Sequence, residues 1–543
     1  MSIHSQVIRR WFLFAGLALS LFQVSAFGQS APCPRYQAGS TIIEPKNLFS
    51  AGGKLEVDFT YQTRLDQFGN TLYCFTTSEG VESPTLHVHP GDRLIIRLKN
   101  ELPSSGMPAA MPGMAVTGWH SGDCSSKPMD NSSVNIHYHG TNAPPVCHQD
   151  EVITTLVNSG DSYEYDVHFP SDEPPGLYWY HPHIHGISEA AVLGGASGAI
   201  VVDGIENVNP LVAGLPARTL IIRDNLVPGN PTPGGAIPSW DISLNYIPVP
   251  YPSFTPVVVP IKPQKKELWR VLNASADTIL DLQLQYDHVS QPLTVVALDG
   301  VPTGSQDGLR LGEAVVVKHI LLAPASRAEF IVTSPSLKVK SAVLYTLNID
   351  TGPDGDNDPT RPILALKASS GASEPQLRIA NTSSLPPAER FFGLADMMPT
   401  AHRKLYFSEV LSDPSNPNSP TNFYITVDGQ TPAIFDPSNP PAIVTRQGAV
   451  EDWTIENRAQ ENHEFHIHQI HFLVLEQNGQ SVDQGQYLDT VQVPYWSGTG
   501  PYPSVKVRLD FRGPVVGDFV YHCHILGHED GGMMAVIRVL PAK

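Results

Sequence analysis

Four His-x-His tripeptides mark this chain: His137/His139, His181/His183, His466/His468 and His522/His524. On a strand, residues i and i+2 project to one side, so each tripeptide offers two imidazoles to a shared space. Eight convergent imidazoles exceed the four ligands that a zinc ion usually takes. They suit a cluster of copper ions, for which imidazole is a good ligand. A second ligand set surrounds the last tripeptide. His463, Cys523, His528 and Met533 bring two imidazoles, a thiolate and a thioether, the ligand types of a blue-copper electron-transfer centre. Alternation turns Cys523 away from the side to which His522 and His524 point. One tripeptide thus links an electron-accepting copper to the cluster through covalent bonds. A reaction that consumes several electrons, such as reduction of dioxygen to water, needs that arrangement.

Internal repeats show which elements position these residues. Segment GLYWYHPHI (176–184) aligns without gaps on GDFVYHCHI (517–525), and IHYH (136–139) aligns on FHIH (465–468). The positions that align with the Cys523 set are Val134, Pro182, Ile187 and Val192, none of them a ligand. The repeat therefore keeps the cluster ligands at both ends of the chain and the mononuclear site at one. A wider repeat joins GDRLIIRLKN (91–100), QKKELWRVLN (264–273) and GAVEDWTIEN (448–457), 173 and 184 residues apart. Each is a polar turn, an alternating stretch and an Asn, which reads as a half-buried strand closed by a turn. Three β domains are expected, at 31–203, 217–370 and 401–543, joined by loops rich in Gly, Pro, Asn and Ser. The matching strand of the middle domain, around Tyr345, has no histidine, so that domain reads as a spacer.

Composition agrees with an all-β chain. The 543 residues include 43 Gly and 50 Pro, a density of turns that argues against coiled coils and helical repeats. Lys and Arg total 34 against 53 Asp and Glu, a net charge of −19, which excludes tracking of nucleic-acid phosphates. Residues 1–26 read as an export signal: Arg9-Arg10, an apolar run from Trp11 to Phe22, and a small-residue cleavage site at Val24-Ser25-Ala26. RRWFL fits a twin-arginine signal, and an ordinary secretion signal fits as well. The apolar run is too short to span a bilayer. The destination is periplasmic or secreted, with no membrane span. Of five cysteines, Cys523 reads as a ligand; the other four allow two disulfides, expected as Cys33–Cys74 and Cys124–Cys147.

The segments HCHILGHEDGGMM, HEFHIH, HYHG and WYHPHIHG together resemble the three-domain multicopper oxidases: laccases, bilirubin oxidases and bacterial cuprous oxidases. The resemblance covers the chain beyond its export signal. It implies three consecutive cupredoxin-like Greek-key β-barrels and four coppers. His463, Cys523 and His528 would bind type 1 copper with Met533 axial, and His137 and His466 type 2 copper. His139, His181, His183, His468, His522 and His524 would hold the type 3 pair. By the same resemblance Asp150 and Glu529 relay protons to reduced oxygen, and His528 is the edge at which donor electrons arrive. Two departures stand out. Glu464 follows His463 where the family usually has Pro, and is expected to face solvent. CHQDEV (147–152) replaces the family's usual Asp-Gly stretch.

The expected activity is oxidation of phenols or aromatic amines, one electron at a time, coupled to reduction of dioxygen by a monomer. A periplasmic cuprous oxidase is the alternative, and a non-enzymatic copper scaffold the third reading. Met107, Met111, Met114 and Met129 favour the cuprous oxidase, because thioethers select Cu(I). A disulfide-tied surface insertion is the competing explanation for them. His87 and His89 form a fifth His-x-His, but precede the repeated strand and read as structural. The repeat assigns no role to His185 or His471, which align with Leu526 and Asn142.

Overall fold

In a computed structural model of the chain, the described residues are 33–103, 124, 128–227, 236–305, 312–375, 391–416, 418–482 and 486–543. The expected export signal at 1–26, Met107, Met111, Met114 and His120 lie outside them. The three repeated segments form strands Arg93–Asn100, Lys266–Asn273 and Val450–Asn457. Each pairs in parallel with an earlier strand, Lys54–Leu65, Ala217–Leu226 or Ala401–Leu411. Each also pairs antiparallel with a later strand, Ser162–His168, Arg327–Thr333 or Ser504–Asp510.

The closing Asn of the repeat is a buried staple. Asn100 donates to the carbonyls of Ser132 and Val157 (2.6 and 2.7 Å), and Asn457 to those of Glu461 and Val493 (2.7 and 3.0 Å). Asn273 does the same for Thr278 and Leu322 (2.9 and 3.0 Å). Each amide oxygen takes the N–H two residues on, in Leu102, Ser275 and Ala459. The side chain thus satisfies backbone groups where a strand must leave its sheet, and an apolar residue there would orphan them.

Six sheets result, two for each third of the chain, and every pair encloses its own apolar core. The architecture is all-β, with cupredoxin-like domains. The only α-helices among the described residues are Ser188–Leu193, Ile205–Val208 and Leu526–Asp530. Matched strands in the first and last thirds carry the histidines. His137–His139 pairs with Gly176–His181, setting His137 opposite His181. His463–Ile467 pairs with Gly517–Cys523 in the same register, His466 opposite His522. Both expected disulfides are present, Cys33–Cys74 and Cys124–Cys147, and Cys523 is free and buried.

Candidate metal centres

All eight histidines of the four tripeptides are buried and converge from the two ends of the chain. Three groups have ligand atoms within 4.8 Å of one another: His137, His139 and His466; His139, His181 and His524; His183, His468 and His522. In the last group the three Nε2 atoms lie 3.1–3.3 Å apart. Ring nitrogens of the cluster are buried without a hydrogen-bond partner: Nε2 of His137, His181 and His466, Nδ1 of His139, and both nitrogens of His524. Leaving so many buried polar atoms unsatisfied costs roughly 1–3 kcal/mol each. Lone pairs converging in this way are explained by cations that accept them.

The protonation states agree. Burial, reinforced by neighbouring imidazoles, pushes His137, His139, His183, His468 and His524 well below the ordinary histidine range. Burial lowers His181 to about 3 and His522 to about 4. The rings are therefore neutral, the form that binds metal. Outer partners set the ring orientations. The Nδ1 atoms of His181 and His522 donate to the Pro182 and Cys523 carbonyls (2.9 and 2.8 Å). His137 Nδ1 lies 3.0 Å from Asp150 Oδ1.

The mononuclear set also assembles. Cys523 Sγ lies 3.5 Å from His463 Nδ1 and 3.7 Å from His528 Nδ1, which are 3.1 Å from each other. Met533 is buried in the same core, and its carbonyl accepts the Cys523 N–H at 3.1 Å. The Glu464 N–H donates to Cys523 Sγ (3.4 Å). Burial holds the Cys523 thiol well above its ordinary range and lowers His528 to about 4. At neutral pH the thiol is protonated and both imidazoles are bare. Loading Cu(II) here should release about one proton per ion near pH 7, because only the cysteine has a proton to lose. A pH-stat titration checks this; release of two or more would mean that the histidines start out charged.

Glu464 corrects an expectation. It is fully buried rather than facing solvent, with Gln492 donating to Oε1 at 3.1 Å, and burial pushes its carboxyl well above the usual range. His87 and His89 are structural, as expected. His87 lies 3.1 Å from Asp203 and 3.2 Å from Asn47, and His89 lies 3.2 Å from Ser50 Oγ.

Several site residues had no sequence signal. Gln469 donates to Asp150 Oδ2 at 2.5 Å, tying the last domain to the first. Glu409 lies 2.8 Å from His463 Nε2, and Glu461 lies 3.2 Å from His528 Nε2. Asp489 accepts from His139 Nε2 at 3.2 Å and is paired with Arg327 of the middle domain. The middle domain contributes no ligand, yet it does more than space the other two. Among the sequence-predicted acids, Asp150 meets His137, and Glu529 Oε2 comes within 3.2 Å of His522 Nδ1. His183 also lines a mainly apolar cavity with Met129, Val152, Phe435 and Met534.

A buried histidine cluster joined by one Cys-containing strand to a His–Cys–His site, on cupredoxin-like sheets, is the arrangement of multicopper oxidases, and the chain carries two multicopper oxidase domains. Two family models, both described as multicopper oxidase, match residues 414–543 and 128–207. The family implies copper as the cofactor. Among curated relatives, the multicopper oxidase mco of Staphylococcus haemolyticus is 23% identical over 91% of this chain and 95% of its own length. The laccase of Bacillus subtilis is 22% identical over 83% of this chain and 87% of its own. Among solved structures, a variant of McoA multicopper oxidase from Aquifex aeolicus superposes with TM-score 0.66 at 21% identity, covering 93% of this chain and all of that one. A Campylobacter jejuni multicopper oxidase, titled a metallo-oxidase, has TM-score 0.66, 21% identity and coverage of 93% and 96%.

Proposed function

We propose that this chain is a dioxygen-reducing oxidase whose electron donor is a reduced transition-metal cation such as Cu(I) or Fe(II). It would act as a monomer, in the periplasm or outside the cell, with the three domains at 31–203, 217–370 and 401–543. Four coppers are proposed. His463, Cys523, His528 and Met533 hold one, His137 and His466 a second, and His139, His181, His183, His468, His522 and His524 a pair. Bound copper would supply the electron chemistry, accepting single electrons beside Cys523 and reducing dioxygen to water among the eight histidines. The residues do the rest. His522 and His524 flank Cys523 in sequence, giving a short covalent path between the sites. Asp150 and Glu529 hold protons beside the cluster.

The single observation that carries the donor assignment is a pair of carboxylates on the outer edges of both type 1 imidazoles, Glu409 at His463 and Glu461 at His528. Burial and the charge of Glu409 raise Glu461 to about 9, whereas Glu409 is held low against burial, the hydrogen bond from His463 being the largest pull. The two share a negative charge and a proton, and an arriving cation displaces the proton. Asp356 and Glu189 add negative field at His528. Such a mouth concentrates cations and repels anionic donors. Phenols and aromatic amines remain a second reading, favoured by Phe423, whose ring stacks on His528 at 4.4 Å and offers a flat apolar surface.

Oxygen uptake by the copper-loaded protein with Fe(II), Cu(I) and 2,6-dimethoxyphenol tests the assignment. Glu409→Gln and Glu461→Gln should each raise the KM for the cations roughly 10-fold, about 1.4 kcal/mol of lost attraction, and leave that for the phenol unchanged. Faster turnover of the phenol than of either cation, insensitive to both substitutions, would reverse the donor assignment.

A further inference from the structure

We infer that Arg327, in the middle domain, is a positioning residue for the copper cluster, fixing through Asp489 which nitrogen His139 and His466 each present to it. The inference rests on the ligand assignment proposed above. Arg327 and Asp489 are both fully buried. The guanidinium grips the carboxylate with both prongs, Nη1 to Oδ1 at 2.8 Å and Nη2 to Oδ2 at 2.7 Å. Its Nε donates to the Leu177 carbonyl at 3.1 Å, anchoring the fork to the strand that carries His181. Asp299 completes the frame: Oδ1 takes the Arg327 N–H (2.9 Å), and Oδ2 those of Asp489 and Thr490 (3.3 and 3.4 Å).

Held in this frame, Asp489 addresses one ligand from each end of the chain. Its carboxylate accepts from His139 Nε2 at 3.2 Å, and its carbonyl from His466 Nδ1 at 2.8 Å. The two rings stack 4.0 Å apart, yet they present different nitrogens inward, Nδ1 for His139 and Nε2 for His466. One residue therefore selects the donor atom on both rings. With both oxygens held by Arg327, the carboxylate cannot turn away from His139. Gly140 shows how tightly the pair is enclosed: a side chain there would overlap both the guanidinium and the carboxylate. A lysine at 327 would keep the charge but not the two-pronged geometry.

The test compares wild type with R327K and R327M, titrating copper against a competing chelator. Copper per chain, the type 1 blue absorption, the electron paramagnetic resonance of the non-blue copper and the melting of the copper-free proteins are recorded. Outer partners of metal-bound histidines typically alter affinity by roughly 10–100-fold. R327M should therefore bind cluster copper roughly 10–100-fold more weakly and R327K roughly 10-fold more weakly. Both should keep the blue absorption, with an altered non-blue resonance. R327K keeps a charge opposite Asp489 and should melt like wild type, so it carries the test if R327M fails to fold. Unchanged cluster affinity and resonance in R327K would overturn the inference, as would parallel loss of blue and non-blue copper, which signals general damage. Wild-type protein that binds only the blue copper would overturn the ligand assignment itself, and the inference with it.

Discussion

Cys523→Ser should lower donor-driven oxygen uptake by roughly 10³-fold or more, the scale expected when one member of a set that acts as a unit is removed. Cys523 Sγ sits where His463 and His528 converge and would be the soft ligand there, for which a hydroxyl is a hard, weak substitute toward copper. The neighbouring His522 and His524 are unaltered, so the cluster should still load. Copper content should fall by one ion per chain, with loss of the blue absorption and retention of the non-blue resonance. The substitution is small and buried, and costs about 1–3 kcal/mol if the new hydroxyl finds no partner. A melting curve of the copper-free variant separates that cost from the loss of activity. Oxygen uptake that survived at the wild-type rate would show that electrons reach the cluster without Cys523.

What could be read in the sequence and what could not divide along a physical line. His137/His139 was legible because both residues lie on one strand, where period two fixes their side, and His522/His524 because the tripeptide leaves the end of a strand that closes at Cys523. The repeated Asn at 100, 273 and 457 was legible as a turn, though not as the staple it forms. Arg327, Asp299, Asp489, Gln469, Glu409 and Glu461 were not legible. Each makes its contact with a residue far away in the sequence, so no local spacing records it. Glu464 is the instructive error. In the strand His463–Ile467 it shares a side with His466, which places it inward, while its charge argued for solvent. Alternation was the better guide, because burial keeps the carboxyl protonated against the pull of the Gln492 amide and so removes the penalty of an ion.

Glu529→Gln should lower kcat roughly 10²-fold, the contribution of one general acid, with copper content and the KM for the donor unchanged. Reducing dioxygen to water consumes protons as well as electrons, and the neutral imidazoles lining the cluster are far too weak as acids to supply them. Glu529 is fully buried, with Oε2 3.2 Å from His522 Nδ1 and Oε1 3.7 Å from His183 Nε2. Burial, then the charge of Asp530, raises its carboxyl well above the usual range, so it stores a proton at neutral pH. Asp150 does so beside His137: burial carries it to about 8 against the pull of the Tyr138 N–H and the Gln469 amide. An acid donates only while protonated, so the sign is fixed. Activity supplied by Asp150 is present at low pH and disappears as pH rises through its pKa, and nearby copper, being cationic, moves that limb below 8. Asp150→Asn should flatten the alkaline limb, whereas Glu529→Gln should lower the whole profile. Rapid mixing of the reduced, copper-loaded variants with dioxygen, repeated across pH, isolates this half of the reaction from donor oxidation. If Glu529→Gln is reoxidised as fast as wild type at every pH, Glu529 is not a proton donor, and Asp150 must supply the cluster alone.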